Sequence, residues 1–129
     1  MSSEKYPIFI PELENCVCIK VYDGDTIHIA ANLKQEHHLN PLNKKQKYNW
    51  KIRLRGVDTP EMHGPEQEKA NQIQNELEQL ILNQEVEVSN IAYDKYGRIL
   101  ANVKYNHIDI SEWLIENKYA KPYFGGKKE

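Results

Sequence analysis

Two short acidic segments stand out in this 129-residue chain, Asp23-Gly24-Asp25-Thr26 and Asp58-Thr59-Pro60-Glu61. Aspartates flanking a tight turn are commonly turn formers. An EF-hand calcium loop is excluded for the first segment, because Lys34 stands where the bidentate Glu belongs. If a hairpin built on the first segment pairs with the strand that leads into the second, Asp25 and Asp58 meet at one end. Two hard oxygen ligands plus water then suit a divalent cation of the calcium or magnesium kind, with the shell open to a substrate phosphate. Glu61, on a constrained Thr-Pro-Glu turn, can act as a general base towards water. Arginine occurs only at Arg53, Arg55 and Arg98, while lysine carries the rest of the positive charge. Such sparing use suits sites where a planar fork matters, either an internal ion pair or a bidentate phosphate clamp.

The elements that must position these groups follow from periodicity. Residues 15–22 alternate, with Val17, Ile19 and Val21 on one face, and read as a strand. Thr26 to Ala30 forms a second strand, with Gly24 near the hairpin bend. Asn32 to Asn49 is polar and reads as a long loop or a loosely paired strand extension. Trp50, Ile52 and Leu54 alternate with Lys51, Arg53 and Arg55, so a third strand sets three cations on one face. Residues 56–64 are irregular. A helix starts at Pro65 with Glu66 and Glu68 in its first turn, buries Ala70, Ile73, Leu77 and Leu80 or Ile81, and stops at Asn83. Two further strands, 85–89 and 98–105, are joined through Asp94-Lys95-Tyr96-Gly97. Asp109 or Ser111 caps a short helix running through Trp113, Leu114 and Tyr119. Five strands and two helices in this order suit a small barrel decorated with helices or an open sheet with helices.

Length argues for one domain, and a 40% apolar, 28% charged composition with mean hydropathy −0.77 leaves no membrane span. Residues 1–11 lack the apolar stretch of a signal peptide, so an intracellular, cytoplasmic protein is expected. A net charge of −2 and a pI near 6.2 exclude a generic basic nucleic-acid coat. Yet no acid occurs between His37 and Val57, where Lys44, Lys45, Lys47, Lys51, Arg53 and Arg55 collect. That stretch is a solvated basic face or a local phosphate-binding region.

Three segments together, Asp23-Gly24-Asp25-Thr26, Arg53 through Glu61, and Asp94-Lys95-Tyr96-Gly97-Arg98, resemble the staphylococcal nuclease (thermonuclease) family in residue type, spacing and order. Tyr119-Ala120-Lys121-Pro122-Tyr123 resembles the family's stretch after its second helix. The resemblance covers residues 15–124, leaving 1–14 as an N-terminal extension and 125–129 as a tail. It implies an α+β, mainly β, OB-fold: a five-stranded Greek-key barrel with two or three helices. It also implies a calcium-dependent endonuclease that hydrolyses DNA and RNA and leaves 3′-phosphates, acting as a monomer away from membranes. Carried over by position, Asp25, Asp58 and the Thr59 carbonyl are metal ligands, and Asp23 acts on the metal through water. Glu61 positions or deprotonates water, while Arg53 and Arg98 hold the scissile phosphate. Lys95 and Tyr96 fall where the family contacts a terminal phosphate, and Tyr123 is a stacking residue. The alternative is a catalytically inactive, nucleic-acid-binding nuclease-like module. Such copies lack acids of the site, whereas this chain carries Asp25, Asp58 and Glu61 with both arginines.

Cys16 and Cys18 are spaced poorly for a disulfide and read as free thiols. His37-His38 does not complete a known zinc spacing with them. His63 reads as a turn histidine rather than the base, since Glu61 fills that role. Trp113 and Leu114 belong to the core.

Overall fold

The computed structural model of the chain describes residues 6–35, 46–61, 64–124 and 127–128. In order come β1 (Leu13–Asp23), β2 (Thr26–Leu33), β3 (Lys47–Leu54) and a two-residue β4 (Val57–Asp58). Helix α1 (Gln67–Ile81) separates these from β5 (Glu85–Tyr93), β6 (Ile99–Tyr105) and β7 (Ile108–Asp109). Helix α2 (Ile110–Glu116), β8 (Lys121–Phe124) and β9 (Lys127–Lys128) complete the chain. Antiparallel pairing runs β3-β2-β1-β5-β6, and a parallel pairing of β3 with β6, Arg53 opposite Leu100, closes the ring. The closed five-stranded barrel with a helix between its third and fourth strands is the OB-fold, which removes the open sheet from consideration.

The barrel closes over Cys18, Val21, Ile27, Ile29, Ile52, Leu54, Ala101 and Val103, all buried. Its first strand corrects the alternation expected from the sequence. Cys16 and Cys18 face the core, while Val17 is half-buried and Ile19 exposed. Register shifts against β2 after Glu14, Cys18 and Val21 reverse the facing, so that Val21 turns inward again. Each extra residue bends and coils the strand, as closing a small barrel requires. The two thiols are free, and burial pushes both up to about 11. That leaves them protonated and apolar in behaviour.

Helix α1 buries Ala70, Ile73, Leu77 and Ile81 along one stripe. It begins two residues after Pro65, with Glu66 at the cap position rather than inside the first turn. Asn83 ends it in left-handed backbone, φ 65°, and donates its N–H to the Cys18 carbonyl, 2.8 Å. Asp109 caps α2 by accepting from the Glu112 N–H, 3.1 Å, but the helix stops at Glu116, short of Tyr119. Ser111 instead donates to the Arg55 carbonyl, 2.8 Å. No helix among the described residues is long and apolar enough to cross a membrane.

Of the polar stretch 32–49, Asn32 and Leu33 extend β2, and Lys47 to Asn49 extend β3, with Asn32 opposite Lys47. His37, His38, Lys44, Lys45 and His63 lie outside the described residues. Strand β8 was not apparent from periodicity. It pairs with β4, Asp58 opposite Lys121, and the Tyr123 N–H reaches the Gly56 carbonyl at 2.9 Å.

One glycine is fixed by space. A Cβ on Gly24 would lie 2.8 Å from Ile73 Cγ2 and 2.9 Å from both Thr59 Cγ2 and Thr59 Oγ1. Neither neighbour is a long side chain that can swing away, so the β1–β2 turn sits directly beneath α1 and the Thr59 turn. Gly24→Ala should therefore cost about 1–3 kcal/mol of stability through overpacking. Urea unfolding of the variant measures this, and an unchanged midpoint would show that the turn does not press on Thr59.

Candidate active site

Arg53 is the residue around which the acids gather. It lies on the outward face of β3, opposite Thr26 of β2, and its side chain is only 12% exposed. Its Nη1 lies 3.1 Å from Asp25 Oδ2, and its Nη2 lies 3.6 Å from Asp58 Oδ1 while donating to the Val57 carbonyl at 3.3 Å. Asp25 is carried to this point by the β1–β2 turn, which the Leu54 N–H locks to β3 through the Asp25 carbonyl, 2.8 Å. Asp25 Oδ2 also accepts from the Thr59 N–H, 3.2 Å, and Oδ1 from the Thr26 hydroxyl, 3.2 Å. Asp25, Arg53, Asp58 and Thr59 are thus brought together as the sequence suggested.

The charges in this group are unequal. Burial opposes ionisation of Asp25, yet the Asp23 hydrogen bond, the Arg53 charge and the Thr59 N–H outweigh it and hold its carboxyl below the usual range. Asp23 takes the opposite sign. Burial first, then the charge of Asp25 and the hydrogen bond shared with it, push Asp23 up to about 7. The pair therefore holds a proton where an additional cation would be favourable.

Arg98 is built differently. Its side chain is 55% exposed, and Asp94 holds it: Asp94 Oδ2 accepts from Arg98 Nε at 2.6 Å. Asp94 Oδ1 takes the Tyr96 and Arg98 backbone N–H groups, at 2.9 and 2.8 Å. The turn closes with the Gly97 N–H on the Asp94 carbonyl, 3.0 Å, and Gly97 in left-handed backbone, φ +83°. These bonds, led by those from the Arg98 backbone and side chain, overcome burial and hold the Asp94 carboxyl below its ordinary range. Asp94, the first residue of the third family-like segment, holds Arg98 in place. Its signal was an aspartate four residues before an arginine across a turn ending in glycine.

A cleft of about 590 Å³ joins Asp25, Arg53, Asp58, Thr59, Glu61 and Arg98. Glu61 is exposed, and the Gly64 N–H donates to its carbonyl, 3.3 Å. Lys95, Tyr96 and Tyr123 line a neighbouring cleft of about 450 Å³ that shares Arg53 and Arg98. Tyr123 sits 5.9 Å from the Arg53 guanidinium, and Tyr96 lies 5.2 Å from that of Arg98 and 5.3 Å from the Lys95 ammonium. Every nominated site residue therefore borders one of two clefts that meet at the arginine pair. Arg55 also lines the second cleft, but its fork is held elsewhere: β3 ends at Leu54, and Arg55 Nε donates to the Asn90 carbonyl at 3.1 Å.

Among the described residues, no three His, Cys, Asp or Glu side chains converge as a metal-holding group. A cation here would have to take two carboxylates, a backbone carbonyl and water. That set of hard oxygens fits calcium or magnesium and does not fit zinc.

A model of the staphylococcal nuclease homologue family matches residues 51–129, more than half of the chain. The chain belongs to the staphylococcal nuclease homologue family. An uncharacterized protein of Methanocaldococcus jannaschii is 31% identical to it over 140 aligned positions. That alignment takes in 81% of this chain, which spans 57% of the relative's length. The region matched to the nuclease homologue family holds Arg53, Asp58, Glu61 and Arg98 but starts after Asp25. The β2–β3 register and the Arg53 ion pair connect Asp25 to the family's portion.

The Asp23–Asp25 pair makes a stability expectation for the metal-free protein. Above about pH 5 Asp25 is ionised in both the folded and unfolded chain, so of this pair only Asp23 takes up protons on folding. Its raised value means that its contribution is fully present below pH 4 and lost as pH rises through about 7. In chelator, Asp23→Asn should therefore be about 1–2 kcal/mol more stable than the parent at pH 8 and gain nothing at pH 4. Denaturant melts at the two pH values test this, and an equal gain at both would contradict it.

Proposed function

We propose that this chain is a calcium-dependent endonuclease that hydrolyses phosphodiester bonds of DNA and RNA and leaves 3′-phosphates. The observation that carries the reading is the Arg53 guanidinium between Asp25 and Asp58, in a cleft that also presents Glu61 and Arg98. A purely structural ion pair has no need of a second, separately held arginine facing the same space.

Asp25, Asp58 and the Thr59 carbonyl would hold the cation. When bound, it supplies charge against the phosphate and lowers the pKa of nearby water. Glu61 takes a proton from the attacking water, whose oxygen bonds to phosphorus as the P–O5′ bond breaks and the leaving 5′-oxygen takes a proton from solvent water. Arg98, its Nε fixed by Asp94, offers its two terminal nitrogens to the phosphate oxygens. Arg53 joins it as positive charge collects around Asp25 and Asp58, since those carboxylates then compete less for its fork. Lys95 and Tyr96 receive the neighbouring phosphate, and Tyr123 stacks on base or sugar. The water's proton thus goes to Glu61, and the charge on the phosphate oxygens meets the two arginines.

A gel assay with single-stranded DNA, with calcium and with chelator, tests the reading. The parent should cut only with calcium. Arg98→Lys should lose about tenfold or more, because a fork is replaced by a point donor. Glu61→Gln should lose roughly 100-fold while keeping its affinity for nucleotide. Asp25→Asn should weaken calcium binding by calorimetry. A parent that binds DNA and never cuts it would make the domain a binding module. Glu61→Gln turnover equal to the parent's would remove Glu61 as base.

A further inference from the structure

The catalytic cleft continues past Arg53 to a surface that the proposed reaction does not use. Tyr22, Asn49, Trp50 and Lys51 line it as well, and none of them borders the neighbouring cleft that holds Tyr96 and Tyr123. Tyr22 is 49% exposed. The Lys51 ammonium lies 4.8 Å from its ring centre and that of Lys20 5.7 Å, with the His28 ring at 6.4 Å.

The backbone accounts for this placement. The β1–β2 register shifts between Val21 and Asp23, making Tyr22 the extra residue of a bulge. Bulges re-aim side chains next to functional sites. The Gln74 amide of α1 pins this one, donating to the Val21 and Tyr22 carbonyls at 3.1 and 3.2 Å. An exposed ring held on a fixed backbone, with two ammonium groups beside it, has the makings of a stacking platform for unpaired bases.

We propose that Tyr22, flanked by Lys20 and Lys51, stacks an unpaired base on the opposite side of the scissile phosphate from Tyr96 and Tyr123. A single polynucleotide strand then crosses the arginine pair between two aromatic stations, with Lys20 and Lys51 on its phosphates. This rests on the cleft being the nuclease site. It adds that the strand is gripped on both sides of the cut. A base-paired strand cannot offer its base face to Tyr22 without unstacking.

The test is fluorescence anisotropy with labelled octathymidylate in calcium, using the full chain carrying Glu61→Gln so that the strand survives. Adding Tyr22→Ala should weaken binding about tenfold, the scale of one base–aromatic stack. Tyr22→Phe, which keeps the ring, should restore it to within about twofold. Thymidine 3′,5′-bisphosphate, too short to reach both stations, should bind Tyr22→Ala and its Tyr22 parent alike. Replacing Lys20 and Lys51 with alanine should flatten the salt dependence by roughly 1.4 in log–log slope, for two phosphate contacts on a single strand. Octamer affinity unchanged by Tyr22→Ala would overturn the platform and leave the nuclease reading intact. Equal losses for octamer and bisphosphate would also overturn it, placing Tyr22 in the arginine site. A parent that leaves DNA uncut, alongside the selective octamer loss, would overturn the nuclease reading while the platform stands.

Discussion

A guanidinium shared between two carboxylates organises this molecule at its functional end. Arg53 is largely buried, so its charge requires partners, and the fold delivers two from different elements. Asp25 comes on the β1–β2 turn, clamped to β3 by the Leu54 N–H. Asp58 comes on β4, which is held by β8 from the end of the chain. Removing the arginine would strand two acids at the barrel rim; removing either acid would free the fork for another anion. The same few ångströms therefore serve closure of the barrel and selection of charge. Asp23 adds to the tension, since burial and the charge of Asp25 oppose its ionisation.

The second arginine shows another solution to the same problem. Arg98 is exposed, and a surface ion pair alone would contribute little to holding it. Its rigidity comes from a turn whose backbone and side chain are both bonded to Asp94, with Gly97 supplying the left-handed residue that closes the loop. One fork is fixed by burial and the other by turn geometry, and the two clefts meet between them.

Much of this was legible in the residue pattern. Alternation along β3 placed Arg53 outward and Ile52 and Leu54 inward, because a strand buried on one face has period two. The apolar stripe of α1 and its stop at Asn83 followed from helical spacing and a residue that tolerates left-handed backbone. What was lost lay where tertiary pairing overrides periodicity. The bulges of β1 inverted the facing of Val17 and Ile19, and a bulge has no period to detect. Strand β8, four residues containing Pro122, is a strand only because Gly56 and β4 receive it. Asp94 looked like any turn aspartate, since its second role depends on where Arg98 folds back. The acids and arginines themselves were visible because their chemistry is written in residue type, while their distances needed the barrel.

The most direct measurement is cleavage of a single-stranded oligonucleotide in ¹⁸O-labelled water with calcium, read by mass spectrometry of the products. Water attack on phosphorus with loss of the 5′-oxygen requires internal fragments ending in a 3′-phosphate that carries one ¹⁸O. It also requires complete loss of cleavage in chelator. Products lacking the label, fragments ending in 5′-phosphate, or cleavage that persists in chelator would contradict the account of how Asp25, Arg53, Asp58, Glu61 and Arg98 work together.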